Sequence, residues 1–561
     1  MRAIAISLVA AVMLLPAPAR ADDQPNIVLI LVDDMGYTDI GAFGSEIRTP
    51  NIDSMANGGL RLTNFHSSPQ CAPTRSMLMS GSDNHKAGMG TMFPSSFIEE
   101  EYGDRYGYER YLHERVATLP ERLGDAGYHT YMAGKWHLGL SDDKAPTKRG
   151  FDRAFSLLIG SSNHFGFPTI NPQTAFREDG EILEELPEDF YSTITYTDKI
   201  IEYIDSNQGD DKPFFAYLAY TAPHWPMQVP EEYLERNAGR YDMGYDVLRE
   251  ERMSRAETLG VVPKTDHDLF EPYGRPWNDL SDDEKRSSSR RMELFATMME
   301  VLDDNIGRLL AYLQETGELD NTLFFFMSDN GPEADHELNN LTFAGSIQRA
   351  SYVDNSFENY GKPSSFIFLA EGWAQAAAAP FRMYKGYPSE GGNRVPAFAY
   401  HPSLVEGPRI DDQYLTLMDV MPTFLELAGA EFDPTRVRGR DVVPMDGRSF
   451  VSALSGSSEP VYGDDDFIAI ELHGQRALKR GDWKIVWEQR PINLSWDYEH
   501  PDYWETWRLF NMADDPTEQH DLASEHPELL AELVALWDAW AEENGIMLEV
   551  TAKWPPPGAP K

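Results

Sequence analysis

Four apolar stretches of this chain each run straight into a polar cluster. Asn26 to Val32 stops at Asp33-Asp34, and Tyr128 to Ala133 stops at Gly134-Lys135-Trp136-His137. Phe214 to Tyr220 stops at Thr221-Ala222-Pro223-His224-Trp225, and Thr322 to Met327 stops at Ser328-Asp329-Asn330-Gly331. Near-continuous apolar runs of this length suit strands buried on both faces, as in a sheet covered by helices. Ligands in such sheets bind beyond the carboxyl ends of the strands. Four groups of chemistry-bearing side chains, far apart in sequence, are therefore expected along one edge.

Apolar spacing near the helical period of about 3.6 residues predicts helices at Ala117 to Ala126, Asp198 to Asp205, Arg291 to Thr316 and Tyr414 to Ala430. The stretch from Pro230 to Arg290 is charged, poor in Leu and broken by Pro and Gly. It reads as an insertion over the sheet edge with no chemistry of its own. After Ala430 the pattern changes to short strands at Phe467 to Leu472, Gln475 to Lys479, Trp483 to Trp487 and Trp507 to Asn511, then a helix from Pro527 to Asn544. The expected fold is α/β: a large mixed, mostly parallel sheet flanked by helices, plus a smaller C-terminal α+β domain with an antiparallel sheet and one helix. The domains are expected at 22–435 and 436–561, with a loose, Pro-rich tail from Trp554.

Residues 1–21 read as a signal peptide. Arg2 supplies the positive n-region, Ala3 to Leu15 is apolar but too short to span a bilayer, and Ala19-Arg20-Ala21 places small residues at the two cleavage-site positions. Later apolar runs are too short or too charged to cross a membrane. A periplasmic or secreted protein is expected. Residues 22–561 exceed what one simple core holds, which favours two domains. The formal charge of −44 argues against nucleic acid as a partner and suits a solvated acidic surface. It also sets a condition. An anionic substrate needs local Lys, Arg, His or metal to reverse that field inside the pocket.

The chain has one cysteine, Cys71, in the run Cys71-Ala72-Pro73-Thr74-Arg75. A single cysteine cannot form an internal disulfide, so in an exported protein its thiol is spare, reactive or chemically converted. Pro at +2 and Arg at +4 would flank a given Cys by chance roughly once in four hundred. The run resembles the C-x-P-x-R signature of the type I sulfatases, whose cysteine is oxidised to formylglycine. Further matching stretches are Val32-Asp33-Asp34-Met35-Gly36, Ser76 to Gly81, Gly134 to Gly139, Ala222-Pro223-His224-Trp225-Pro226, Ser328-Asp329-Asn330-Gly331 and Tyr384-Lys385-Gly386 before Gly391-Gly392. Together they resemble the bacterial arylsulfatases of the alkaline-phosphatase-like superfamily across essentially the whole of residues 22–561.

Asp33, Asp34, Asp329 and Asn330 offer only oxygen ligands at the ends of two strands. That donor set selects a hard cation, Ca²⁺ ahead of Mg²⁺, and a metal relieves the cost of burying adjacent carboxylates. Two-zinc phosphatases of the same superfamily carry His where this chain has Asn330, which points to one hard metal. The resemblance implies that oxidised Cys71 is a hydrated aldehyde and itself a metal ligand. One hydroxyl attacks sulfur and displaces the alcohol, and loss of the second hydroxyl's proton lets the sulfated hemiacetal collapse to aldehyde and sulfate. A thiol or a plain serine has no such internal means of expelling sulfate. Arg75, one turn along a helix expected to start at Pro73, would steady the hydrate.

The resemblance also assigns Lys135 and Lys385 to the sulfate oxygens, with Lys135 possible at the leaving-group oxygen as well. It makes His137 the base for sulfate release and His224 the donor to the departing alcohol. Whether Asp329 also accepts the nucleophile's proton is left open by spacing. His85 and His164 are candidates for the pocket mouth or for structural roles, and His401 beside Pro402 reads as a surface loop residue. Phe93, Phe97, Phe165 and Trp225 are candidates for an aryl-binding wall against a default of core packing.

The resulting expectation is a Ca²⁺-dependent, formylglycine-using arylsulfatase acting on small-molecule sulfate monoesters, matured by a formylglycine-generating enzyme. The alternative is a phosphonate monoester or phosphodiester hydrolase with the same nucleophile. A noncatalytic glycan-binding protein would be expected to have lost some of these polar positions, and none is missing.

Overall fold

The computed structural model describes residues 24–92, 105–166, 175–210, 212–264, 274–334, 351–489 and 504–548. The expected signal peptide, Phe93, Phe97 and the tail from Trp554 lie outside them. Ten strands form one sheet in the spatial order Arg409–Asp411, Leu60–Leu62, Ala397–Tyr400, Thr322–Ser328, Asn26–Val32, Phe214–Ala219, His129–Lys135, Arg153–Leu157, Phe176–Glu178, Glu181–Ile182. We label the four that carry the polar clusters β1 (Asn26–Val32), β2 (His129–Lys135), β3 (Phe214–Ala219) and β4 (Thr322–Ser328). β1 lies between β3 and β4, and β2 pairs with β3, all in parallel. Their carboxyl ends therefore share one edge, as the sequence predicts.

Strand β1 shows why the sheet is covered on both faces. Val28, Ile30 and Val32 point into one apolar core, while Ile27, Leu29 and Leu31 point into another. The first core is closed by the long helix Asp282–Thr316, through Leu294, Met298, Leu302 and Leu309, and by Ser192–Asp205. The second is closed by Cys71–Ser80, Leu119–Asp125 and Val420–Leu427. Side chains alternating along a strand fix this division.

Three expectations change in detail. The described part of the stretch from Pro230 to Arg290, expected as an insertion packed over the sheet edge, reaches the core. Its helix Tyr245–Leu259 places Leu248 and Ala256 in the first core. The helix also buries Arg252 against Asp39 at 2.6 Å and Glu46 at 2.8 Å, so some of the segment's charges are paired inward. The expected helix from Arg291 begins instead at Asp282, because Ser281 and Glu284 cap it reciprocally. The expected helix Tyr414 to Ala430 is shorter, at Val420–Leu427, preceded by the strand Leu415–Thr416 and a tight turn over Leu417–Asp419. The Thr416 backbone N–H donates to Asp419 at 2.7 Å and fixes that turn.

A separate four-stranded antiparallel meander follows: Phe467–Leu472, Gln475–Arg480, Trp483–Trp487 and Trp507–Asn511. The helix Pro527–Glu543 covers one face, setting Leu533 and Trp537 against Leu478, Ile485 and Leu509. The sheet joins the larger layer through buried ion pairs, with Lys484 Nζ 2.7 Å from Glu390 and Arg382 2.9 Å from Glu488. Among the described residues, no helix is long and apolar enough to cross a membrane.

His85 belongs to this junction. Its Nδ1 lies 3.0 Å from Asp83 and its Nε2 3.0 Å from Glu471 of the small sheet. Burial opposes its charge, but the hydrogen bonds it donates to both carboxylates outweigh this and lift its pKa to about 9. Relative to an unfolded value of about 6.5, this contributes stability of the order of 3 kcal/mol. The contribution is complete below about pH 6.5 and fades as pH rises through about 9. The unfolding midpoint of the native protein should fall over that window more steeply than that of His85→Gln. Parallel pH profiles of the two proteins would show that this clamp contributes nothing.

Candidate active site

The helix Cys71–Ser80 starts at Cys71, two residues before the expected Pro73, and ends where Gly81 takes a left-handed conformation. Cys71 is thus the first helical residue and Arg75 follows one turn later on the same face. Cys71 Sγ sits 3.5 Å from Nδ1 of His137. Two backbone features bring the partners so close. Gly134 in β2 has φ +122°, and a Cβ there would lie 1.8 Å from the Ala219 carbonyl oxygen of β3. A Cβ at Gly160 would lie 2.5 Å from Cε1 of His137, so only glycine leaves room for that imidazole. His137 itself, at φ 56°, and Asp34, at φ 68°, hold left-handed conformations, a local strain often concentrated at functional sites.

Three cations face the strand-end carboxylates. Arg75 Nε and Nη2 donate to Asp329 Oδ2 at 3.1 and 2.8 Å, and Nη1 donates to the Lys135 carbonyl at 2.8 Å. Lys135 Nζ lies 2.9 and 2.7 Å from the two oxygens of Asp33. Lys385 Nζ lies 2.7 Å from Asp34 Oδ1 and 3.0 Å from Glu333 Oε2. His224 Nδ1 is 2.8 Å from the Trp225 carbonyl, so it carries the proton of the neutral ring and turns Nε2 toward Asp34 Oδ2, 3.4 Å away.

Burial lifts the Cys71 thiol above its ordinary pKa, with Asp329 and Asp33 adding to the effect against Lys135 and Lys385. Burial also lowers His137, and the cations Lys135, Arg75 and Lys385 lower it further, leaving a neutral imidazole. His224 is lowered well below its usual value by burial, against the pull of Asp34. For Asp34, burial is outweighed by Lys385, His224 and Lys135, which bring it down to about 2. Asp33 differs: burial drives it well above the carboxylate range although Lys135 and Arg75 oppose this.

These residues fit a bound cation. Oxygen or sulfur atoms of Asp33, Cys71 and Asp329 lie within 4.8 Å of one another, as do ligand atoms of Asp33, Asp34 and His224. Asn330 Nδ2 donates to Asp34 Oδ1 at 2.7 Å. Its carbonyl Oδ1 is buried without a hydrogen-bond partner among the described residues, an acceptor left over at the centre of a carboxylate cluster. The under-compensated Asp33 and the orphaned Asn330 oxygen both call for positive charge.

All the expected site residues are brought together: Asp33, Asp34, Cys71, Arg75, Lys135, His137, His224, Asp329, Asn330 and Lys385. Others are not part of it. His164 is buried away from solvent and bonds Ser192 Oγ at 2.7 Å and the His224 carbonyl at 3.0 Å, so it braces the His224 loop. His401, expected in a surface loop, is 4 % exposed. Its Nδ1 accepts the Ser403 and Leu404 N–H groups at 3.1 Å, which buries the ring in its own turn. Trp225 packs against Phe366 and Phe368, and Phe165 against Tyr191. Glu333, beside Lys385, is a site residue that the sequence reading did not mark.

Comparison with known proteins decides the family. A family model described as Sulfatase matches residues 25–430. The chain belongs to the sulfatase family. It is 41 % identical to an uncharacterized sulfatase of Schizosaccharomyces pombe, over 93 % of this chain and 94 % of that protein. It is 36 % identical to the arylsulfatase of Klebsiella aerogenes, over 78 % of this chain and 94 % of that enzyme. The PsFucS1 sulfatase from Pseudoalteromonas sp. superposes with a TM-score of 0.60 at 21 % identity, over 92 % of this chain and 90 % of that one; at that identity the likeness shows the fold, which is the alkaline-phosphatase-like fold of sulfatases. Membership makes this sulfatase a sulfuric ester hydrolase.

Proposed function

We propose that this sulfatase is an arylsulfatase that uses a formylglycine hydrate, made from Cys71 by a formylglycine-generating enzyme, on a bound Ca²⁺. The observation that carries the reading is the position of Cys71. Its Sγ lies 3.5 Å from the His137 imidazole and within 4.8 Å of both Asp33 and Asp329. Burial that raises the thiol pKa leaves little thiolate to act as a nucleophile here, which favours conversion of the side chain. The signal-like residues 1–21 support export to the periplasm or medium, where the ester would be met.

Asp33, Asp34, Asp329 and Asn330 would hold the cation, with the oxygen of residue 71 as a further ligand. When bound, it supplies Lewis-acid polarisation of oxygens at carbon 71 and at sulfur. Lys135 and Lys385 bind sulfate oxygens and offset the charge that builds there. A hydroxyl of the residue 71 hydrate gives its proton to Asp329 as it forms the new O–S bond and the ester O–S bond breaks. His224 Nε2 is directed to the departing oxygen; because the neutral ring keeps its proton on Nδ1, it passes one there only after taking a second proton from solvent, and a phenolate leaves without that transfer. His137 Nδ1 then takes the proton of the second hydroxyl; the C–O bond to sulfate breaks, the aldehyde reforms and water rehydrates it. Arg75 holds Asp329 and the nucleophile helix in register.

With His137→Ala, attack should persist while release fails. One turnover of phenol should appear as a burst, followed by a steady rate lower by about 10²–10⁴-fold. The peptide containing residue 71 should gain one sulfo group by mass. Loss of the burst would move His137 to the attack step. The substrate assignment is tested by kcat/KM on an aryl sulfate against the matching aryl phosphonate monoester. A preference for the sulfate is expected, and a clear preference for the phosphonate would make this a phosphonate monoester hydrolase on the same nucleophile.

A further inference from the structure

The geometry points to Glu333 as the residue that tunes the site to singly charged esters and against doubly charged oxyanions. This rests on the sulfate-ester reading of the pocket. Lys385, assigned above to the sulfate oxygens, does not offer its whole charge to a ligand. Its ammonium is shared between Asp34, 2.7 Å away, and Glu333, 3.0 Å away. The two acids differ in place. The side chains of Asp33, Asp34 and Asp329 are 2 % exposed or less, whereas that of Glu333 is 13 % exposed. Glu333 therefore stands on the more exposed side of the lysine. Its other oxygen, Oε1, accepts the Ala334 N–H at 3.0 Å, which fixes the carboxylate toward the lysine.

Charge balance gives this pairing a consequence. Arg75, Lys135 and Lys385 face Asp33, Asp34, Asp329 and Glu333. With all four carboxylates ionised against it, Asp33 included, one divalent cation would leave a single net positive charge among these groups, matched to a sulfate monoester, which carries one negative charge. Free sulfate carries two. Glu333 thus weakens the hold on the product more than the hold on the substrate, and equally disfavours phosphate monoesters, which are doubly charged near neutral pH.

The test compares the purified native enzyme with Glu333→Gln and Glu333→Asp by calorimetric binding of inorganic sulfate and of sulfamate, its singly charged analogue, at pH 8. Electrostatic energy scales with ligand charge. A gain of about threefold in sulfamate affinity for Glu333→Gln should therefore accompany a gain of about tenfold for sulfate. Glu333→Asp should keep the native ratio of the two. The ratio of aryl phosphate to aryl sulfate turnover should also rise in Glu333→Gln. Weaker binding of both anions would show that Glu333 merely props Lys385, and an unchanged sulfate-to-sulfamate ratio would equally overturn the proposal. A native enzyme that binds these anions but turns over no sulfate ester would instead refute the sulfatase chemistry while the binding ratio still reports on Glu333.

Discussion

Cys71→Ala is expected to lower turnover of an aryl sulfate by roughly 10⁴-fold or more while the protein stays folded. The side chain occupies the first position of a ten-residue helix whose own backbone bonds do not depend on it. Removing one buried sulfur costs stability of the order of 1 kcal/mol. Activity and stability therefore separate at this residue. A serine kept unmodified at position 71 should show the chemistry more finely, because its single hydroxyl can accept a sulfo group but has no second hydroxyl to expel it. That variant should be sulfated once and stop. Turnover near the native rate in Cys71→Ala would remove residue 71 from the reaction.

Asp329→Ala should do damage of a different kind. Arg75 and Asp329 are both fully buried and joined by two hydrogen bonds. Without the carboxylate, the guanidinium keeps the Lys135 carbonyl at 2.8 Å and, at 3.7 Å, the Asp33 carboxylate. Breaking a buried pair from one side costs about 3–5 kcal/mol, so the apparent unfolding midpoint should drop visibly. Activity should fall with it, by roughly 10³-fold, since the same carboxylate belongs to the proposed cation cradle. Asp329→Asn keeps an acceptor without the charge and should fall between. Native stability in Asp329→Ala would mean that Asp33 is the true partner of Arg75.

Much of this was legible in the sequence for one physical reason. Strands buried on both faces must be apolar throughout, so β1 and β4 announced themselves, and the charged residues that end them could only lie at the sheet edge. Parallel pairing then forced Asp33, His137, His224 and Asp329 together. What escaped was whatever depends on how charges pair in space. The helix Tyr245–Leu259 was legible only as part of a charged insertion over the sheet edge, because nothing in its sequence says that Arg252 finds Asp39 and Glu46. His401 looked exposed because a turn that folds backbone N–H groups onto the ring leaves no periodic trace. Glu333 follows Asn330 by three residues but meets Lys385, far along the chain, only through the fold. The junction from His85 to Glu471 was hidden in the same way.

The central claim is that residue 71 is an aldehyde in the active enzyme, and the mass of the tryptic peptide 62–75 tests it most directly. That peptide should be measured from active protein, with and without a carbonyl-reactive tag. The account predicts a peptide in which the Cys71 sulfur has been replaced by a carbonyl oxygen and which takes up one tag. An intact, untagged thiol in fully active enzyme would contradict it.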